Sequence, residues 1–236
     1  MRLEDKKVLI TGSSAGIGKE IALKLATEST NLLLLGRNQD KLDQVRKESI
    51  ANGANSANVY AFDLADTEIA TSYLESIRVE HPDISVVINN AGIWQRVDDV
   101  DKFSHEEIEK IINTNLTALI KVTNTLLPVL RLQNEAAIIN VSSKSGVVAQ
   151  KGQSIYSASK YGVKGFTDVL KADLKGSNIR VAGVYQSGTN TEMFSKAGDN
   201  DFPVQNFTDP TDLADVIVYM LSRPEKIWLN EIHVNY

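Results

Sequence analysis

The sequence predicts an α/β protein built on a doubly wound parallel sheet with helices on both faces. Three observations carry this. Short apolar runs alternate with helical patterns from end to end. The runs are apolar without polar alternation, as strands covered on both faces require. No low-complexity stretch, repeat or linker interrupts the series, so residues 1–236 read as one domain.

Residues 7–11 read as the first strand, followed by a Gly-rich turn. Residues 19–27 show helical spacing at Ile21 and Leu25 and at Ala22 and Ala26. Residues 31–35 form a second buried strand. Residues 38–51 are a polar-faced helix with Asn38 placed to cap it. Residues 58–62, 84–89, 136–141 and 179–185 continue the strand series, and 231–235 ends it, which makes seven. Between them, Ser104-His105-Glu106-Glu107 has the form of a capping box. Asp209-Pro210 places proline at a first helical position behind an acidic cap.

Composition removes several function classes. The net charge is -5 and no long basic stretch exists, which argues against a nucleic-acid partner. There are no cysteines, so disulfides, thiolate metal sites and a cysteine nucleophile are excluded. Their absence fits a reducing cytoplasm. His81, His105 and His233 have no ligand spacing, so no metal site is expected. The start, Met1 to Lys7, carries acids and no apolar core, unlike a signal peptide. The longest apolar runs, such as 32–35, are far too short to span a bilayer, and no membrane association is expected.

Thr11-Gly12-Ser13-Ser14-Ala15-Gly16-Ile17-Gly18 lies between the first strand and the first helix. A dinucleotide asks for glycines in such a turn: one for the tight bend, one for close backbone approach to the pyrophosphate, one for helix–strand packing. The helix N-terminus then faces the phosphates with unpaired N–H groups. A Gly/Ser-rich loop with no ligand is the plainer alternative, and the strand–turn–helix placement speaks against it. The second strand ends Leu35-Gly36-Arg37-Asn38, without the acid that usually holds free ribose hydroxyls. Arg37, helped by the Ser14 hydroxyl, could clamp a 2′-phosphate, so the expected cofactor is NADP(H). A guanidinium that merely solvates a loop is the alternative.

From these residues onward the chain resembles the short-chain dehydrogenase/reductase superfamily, single-domain branch, over nearly its whole length. The resemblance rests on the Thr11 to Gly18 turn, Asp63, Asn89-Asn90-Ala91-Gly92, Asn115, Ser143, Tyr156-Ser157-Ala158-Ser159-Lys160 and Thr191, in that order. Tyr-x-x-x-Lys alone is a weak signal; the joint match is a strong one. The resemblance implies a Rossmann-type sheet of about seven strands in the order 3-2-1-4-5-6-7. It also implies hydride transfer between NADP(H) and a small carbonyl or alcohol substrate.

Roles follow from the same resemblance. Tyr156 would be the acid/base, Lys160 would lower its pKa and bind the nicotinamide ribose, and Ser143 would hydrogen-bond the substrate oxygen. Asn115 would hold a water linking Lys160 to solvent. Tyr156 and Lys160 stand at i and i+4, one face of a helix. Ser142 and Ser145 flank Ser143, and Asn113 rivals Asn115; the family pattern favours Ser143 and Asn115. Gly12, Ser14, Gly16, Ile17, Gly18 and Arg37 would bind the cofactor, with Asp63 and Leu64 flanking the adenine. Asn90, Ala91 and Gly92 would line it, Thr191 would contact its carboxamide, and Ser187 and Thr189 complete the set. One departure stands out: the family commonly has Pro-Gly where this chain has Gln186-Ser187. Which residues touch the nicotinamide there is left open.

Residues 193–207 read equally as a mobile lid or an ordinary surface loop. Trp94 reads as a pocket wall or as packed core. Relatives commonly pair through the helices around Asn115 and Tyr156, which implies a homodimer or homotetramer; the apolar stretch 116–132 fits this but also fits a core. A non-catalytic NADP(H)-binding sensor or scaffold is the main functional alternative, since fold alone does not separate it from an enzyme. A proton donor set such as Ser143, Tyr156, Lys160 and Asn115 has no use in a sensor. A sugar epimerase would need a C-terminal substrate region that this chain lacks.

Overall fold

The computed structural model describes residues 1–224 and 226–235. Seven strands form one sheet: β1 (Lys7–Thr11), β2 (Asn31–Gly36), β3 (Ser56–Ala61), β4 (Ile84–Asn89), β5 (Ala136–Ser143), β6 (Ile179–Gln186) and β7 (Glu231–Val234). Their order is β3-β2-β1-β4-β5-β6-β7, and every pairing is parallel. This is the order the family resemblance implies. The central strands are buried end to end, as their unbroken apolar runs require.

Seven helices cover the two faces: α1 (Gly16–Ala26), α2 (Gln39–Ala51), α3 (Thr67–Glu80), α4 (His105–Ile112), α5 (Ala118–Arg131), α6 (Ser154–Asp173) and α7 (Pro210–Ser222). Alternate strand residues feed two cores. Val8, Ile10, Leu32, Leu34, Ile139 and Val184 pack under α1 and α7. Leu9, Leu33, Val87, Ile138 and Val181 pack under α3 and α5. The caps read from sequence form as expected. Asn38 accepts from the Lys41 N–H, Ser104 and Glu107 make the reciprocal capping box, and Asp209 accepts from the Thr211 N–H.

Two features differ from the sequence reading. Helix α1 starts at Gly16, three residues before Lys19: Ile17 extends the buried row of Ile21 and Leu25 by one turn, although two glycines, poor helix formers, flank it. Between α4 and α5 the chain takes one π-helical turn, Asn113–Thr117. Such a turn re-aims side chains within a continuous helix, and Asn115 sits in it, fully buried.

Candidate active site

The C-terminal ends of β1, β2, β4, β5 and β6 open into a cleft of about 800 Å³. This size lies within the range of small-molecule and cofactor sites. Of the site residues named from the sequence, Gly12, Ser14, Gly16, Ile17, Arg37, Asp63, Leu64, Asn90, Ala91, Gly92, Tyr156, Lys160 and Thr191 line it. A second pocket of about 140 Å³ adjoins it and shares Ile17, Trp94, Tyr156, Gln186, Thr191 and Met193. Ser143, Ser187 and Thr189 line this second pocket and not the cleft.

The glycine turn is shaped by contact. A Cβ on Gly18 would lie 2.3 Å from the Gly12 carbonyl oxygen, so Gly18 lets α1 pack on the turn and lies beneath the cleft. Gly12 has φ +68°, and a Cβ there would lie 2.9 Å from the Ala91 Cα. Asn90 ties the turn to β4: its Nδ2 donates to the Thr11 and Gly12 carbonyls, and Thr11 Oγ1 accepts from the Asn90 and Ala91 N–H groups. No side chain caps α1 and its first turn holds no acid, which leaves a tight, glycine-walled helix start suited to a pyrophosphate. At the end of β2, Arg37 is 57% exposed and lies 3.7 Å from Asp63. A Cβ on Gly36 would lie 3.3 Å from both the Cβ and the Oγ of Ser14.

At the other end, Tyr156 and Lys160 lie on α6 and are buried. Gln95, far away in sequence, starts that helix: its Oε1 accepts from the Tyr156 N–H at 2.7 Å, and its Nε2 donates to the Gly152 carbonyl. Burial pushes the Tyr156 phenol up to about 12, opposed by a hydrogen bond with Ser143. This is opposite in direction to the lowering the family resemblance implies. Burial also pulls the Lys160 ammonium down to about 8. Lys160 Nζ donates to the Val141 carbonyl at 3.3 Å and stands 5.7 Å from the Tyr156 ring centre.

The neighbours of the expected residues are already engaged. Ser142 donates to the Lys160 carbonyl and Ser145 to Gln153, while Ser143 Oγ accepts from the Ser145 N–H. Asn115 lines neither pocket. Its Oδ1 accepts from the Ile93 N–H at 2.7 Å, and its Nδ2 donates to the Ile93 carbonyl and to Ser159. It thereby fixes the Gly92–Ile93 backbone beside Lys160: a Cβ on Gly92 would meet Asn115 Oδ1 at 3.4 Å and Lys160 Nζ at 3.5 Å.

Segment 193–207 folds over the second pocket. Trp94 packs 4.6 Å from Tyr156 and 5.0 Å from Phe194, with Phe202 and Phe207 behind. Trp94 is both pocket wall and buried aromatic. Asp199 fastens the segment: its Oδ2 accepts from Trp94 Nε1 at 2.6 Å and from the Val97 N–H at 3.0 Å. Gln95, Asn190, Met193 and Lys41, which the sequence reading does not single out, also line the cleft. Lys41 stands in the first turn of α2, four residues after Arg37 in the sequence.

Comparison with known proteins places this arrangement. The family model described as short chain dehydrogenase matches residues 6–201. A 3-oxoacyl-(acyl-carrier-protein) reductase of Thermotoga maritima is 33% identical, over 94% of this chain and 92% of its own. An NADP-dependent 3-hydroxy acid dehydrogenase of Schizosaccharomyces pombe is 30% identical, over 96% and 90%. Among solved structures, a short-chain dehydrogenase from Sphingobium yanoikuyae in complex with NADPH superposes with a TM-score of 0.86 at 28% identity, over 98% of this chain and 87% of that one. With its parallel sheet, its glycine-walled turn and its Tyr156–Lys160 pair, this chain belongs to the short-chain dehydrogenase family.

Proposed function

We propose that the chain is an NADP(H)-dependent reductase or dehydrogenase that moves a hydride between the nicotinamide and a small carbonyl or alcohol. The carrying observation is that Tyr156 stands where the long cleft meets the small pocket, so one phenol faces both partners of a transfer. NADPH, when bound, supplies the hydride. Gly12, Gly16 and the start of α1 would hold its pyrophosphate, and Arg37 and Ser14 its 2′-phosphate. The cleft lined by Gly12, Ser14, Gly16 and Arg37 has room for such a group, and the Sphingobium relative with NADPH supports the reading.

Tyr156 holds its proton firmly in the buried site, the form needed to protonate a carbonyl oxygen as hydride arrives. Ser143 hydrogen-bonds the same oxygen. The Lys160 ammonium favours the phenolate left behind, and its lowered pKa lets it refill the phenol. Asn115 acts by position, setting the Gly92–Ile93 backbone. The small pocket sets Trp94, Phe194, Phe202 and Phe207 on one side against Lys144, Gln150 and Gln153, so it suits a compact carbonyl with an apolar part and a polar part. The assembly is a homodimer or homotetramer through α5 and α6.

The test is turnover of NADPH and NADH with a panel of aldehydes, ketones, 3-oxo acids and keto sugars. The expected result is NADPH-dependent reduction of a small carbonyl. Tight NADPH binding with no turnover of any panel member would support a sensor instead.

A further inference from the structure

The departure at Gln186-Ser187 leaves a side chain in the site that no other role claims. Gln186 is the last residue of β6 and the register partner of Ser143 on β5. Paired residues on neighbouring strands project from the same face of a sheet, so Gln186 and Ser143 leave the sheet on one side. There Gln186 lines both the long cleft and the small pocket, beside Tyr156 and Thr191. Its Oε1 is buried and has no hydrogen-bond partner. A buried amide oxygen left unpaired is costly and calls for a donor. A proline at this position would present no such acceptor.

We propose that Gln186 is a cofactor-binding residue whose Oε1 accepts an N–H of the nicotinamide carboxamide. This rests on the NADP(H) reading above. The reacting oxygen of the substrate does not suit this acceptor: as a carbonyl it is itself an acceptor, as an alcohol it gives its proton to Tyr156, and in both forms it is served by Ser143 and Tyr156. The adenosine end is held far off at Arg37 and Asp63, at the end of β2. The carboxamide is the one group of the dinucleotide that brings N–H donors to the Tyr156 end.

The experiment is a set of equilibrium titrations, read by protein fluorescence, on the natural chain and on Gln186→Met. Three probes are used: NADPH, its analogue with an acetyl group in place of the carboxamide, and the adenosine bisphosphate half alone. The natural chain should bind the acetyl analogue about three- to tenfold more weakly than NADPH, the range of one neutral hydrogen bond. Gln186→Met should lose that difference: NADPH weakens by the same factor, while the analogue and the adenosine half keep their affinities. The unliganded variant should melt no lower than the natural chain, because an unpaired buried oxygen has gone. Equal affinity of the natural chain for NADPH and the acetyl analogue would overturn the assignment without any variant. So would a loss shared equally by all three probes, or an unchanged NADPH affinity with a raised KM for the carbonyl substrate. Failure of the natural chain to bind NADPH at all would instead withdraw the cofactor reading and this assignment with it.

Discussion

Lys160 shows how a single residue can serve chemistry at the expense of stability. It is 4% exposed, and burial alone holds its ammonium at about 8, against 10.5 for an ordinary lysine. Because the folded pKa is the lower one, the unfolded chain binds more protons between those values, and stability rises with pH across that window. The penalty is full below pH 8 and gone above 10.5. At about 1.4 kcal/mol per pK unit it amounts to ~3 kcal/mol at neutral pH. Lys160→Met should therefore unfold at higher denaturant concentration than the natural chain at pH 7, with the gap closing as pH is raised toward 10.5. A gap independent of pH would mean that the ammonium is not the source. The i, i+4 spacing of Tyr156 and Lys160 was plain in the sequence, but the sign of the tyrosine shift was not. Solvent exclusion by Trp94 and Phe194, far apart in the chain, raises that pKa. Arg37 adds a second test. It is more than half exposed and shares Asp63, so screening and competition limit its preference for NADPH over NADH in kcat/KM to roughly tenfold. Gly36→Asp with Arg37→Ile should reverse most of this. The new carboxylate repels the phosphate, although its Cβ also crowds Ser14. Equal use of NADH by the natural chain would show that Arg37 serves no phosphate.

At the scale of elements, local signals carried far. Caps at Asn38, Ser104 and Asp209 were readable because each satisfies open N–H groups with its own side chain. The π turn that buries Asn115 was not, since nothing in Asn113–Thr117 marks a change of helical pitch. Nor was the posture of segment 193–207, which depends on one long-range carboxylate. Asp199 receives two N–H groups, from Trp94 and from Val97. Asp199→Ala should loosen the segment and raise the substrate KM about tenfold, with kcat changed less and NADPH affinity retained. That is the lower end of the scale of losing one bond to a charged acceptor. An unchanged KM would show that the segment's closure does not depend on this latch.

For the whole molecule, the doubly wound parallel sheet was legible from the alternation of strands and helices, and the strand order only from the family resemblance. The site at the carboxyl ends of the strands follows from that topology. Assembly is implied only by resemblance, and the surface of α6 is the face proposed for it. Tyr161 and Val169 are 44% and 60% exposed, on one stripe with Gly165, where an added Cβ would meet nothing within 4 Å. A second copy of the chain is the cover proposed for this stripe. The natural chain should sediment as a dimer or tetramer at micromolar concentration, and Val169→Glu with Tyr161→Glu should dissociate it without loss of helix. A monomeric natural chain would contradict this. The most direct test of the proposed chemistry is turnover by Tyr156→Phe, with NADPH and the best carbonyl found, beside the variant's NADPH affinity. Removal of one phenolic oxygen should lower kcat by about 10²–10⁴-fold, the worth of general acid catalysis, with NADPH bound nearly as before. Retention of more than about a tenth of kcat would remove Tyr156 from the proton-donor role and the proposed mechanism with it.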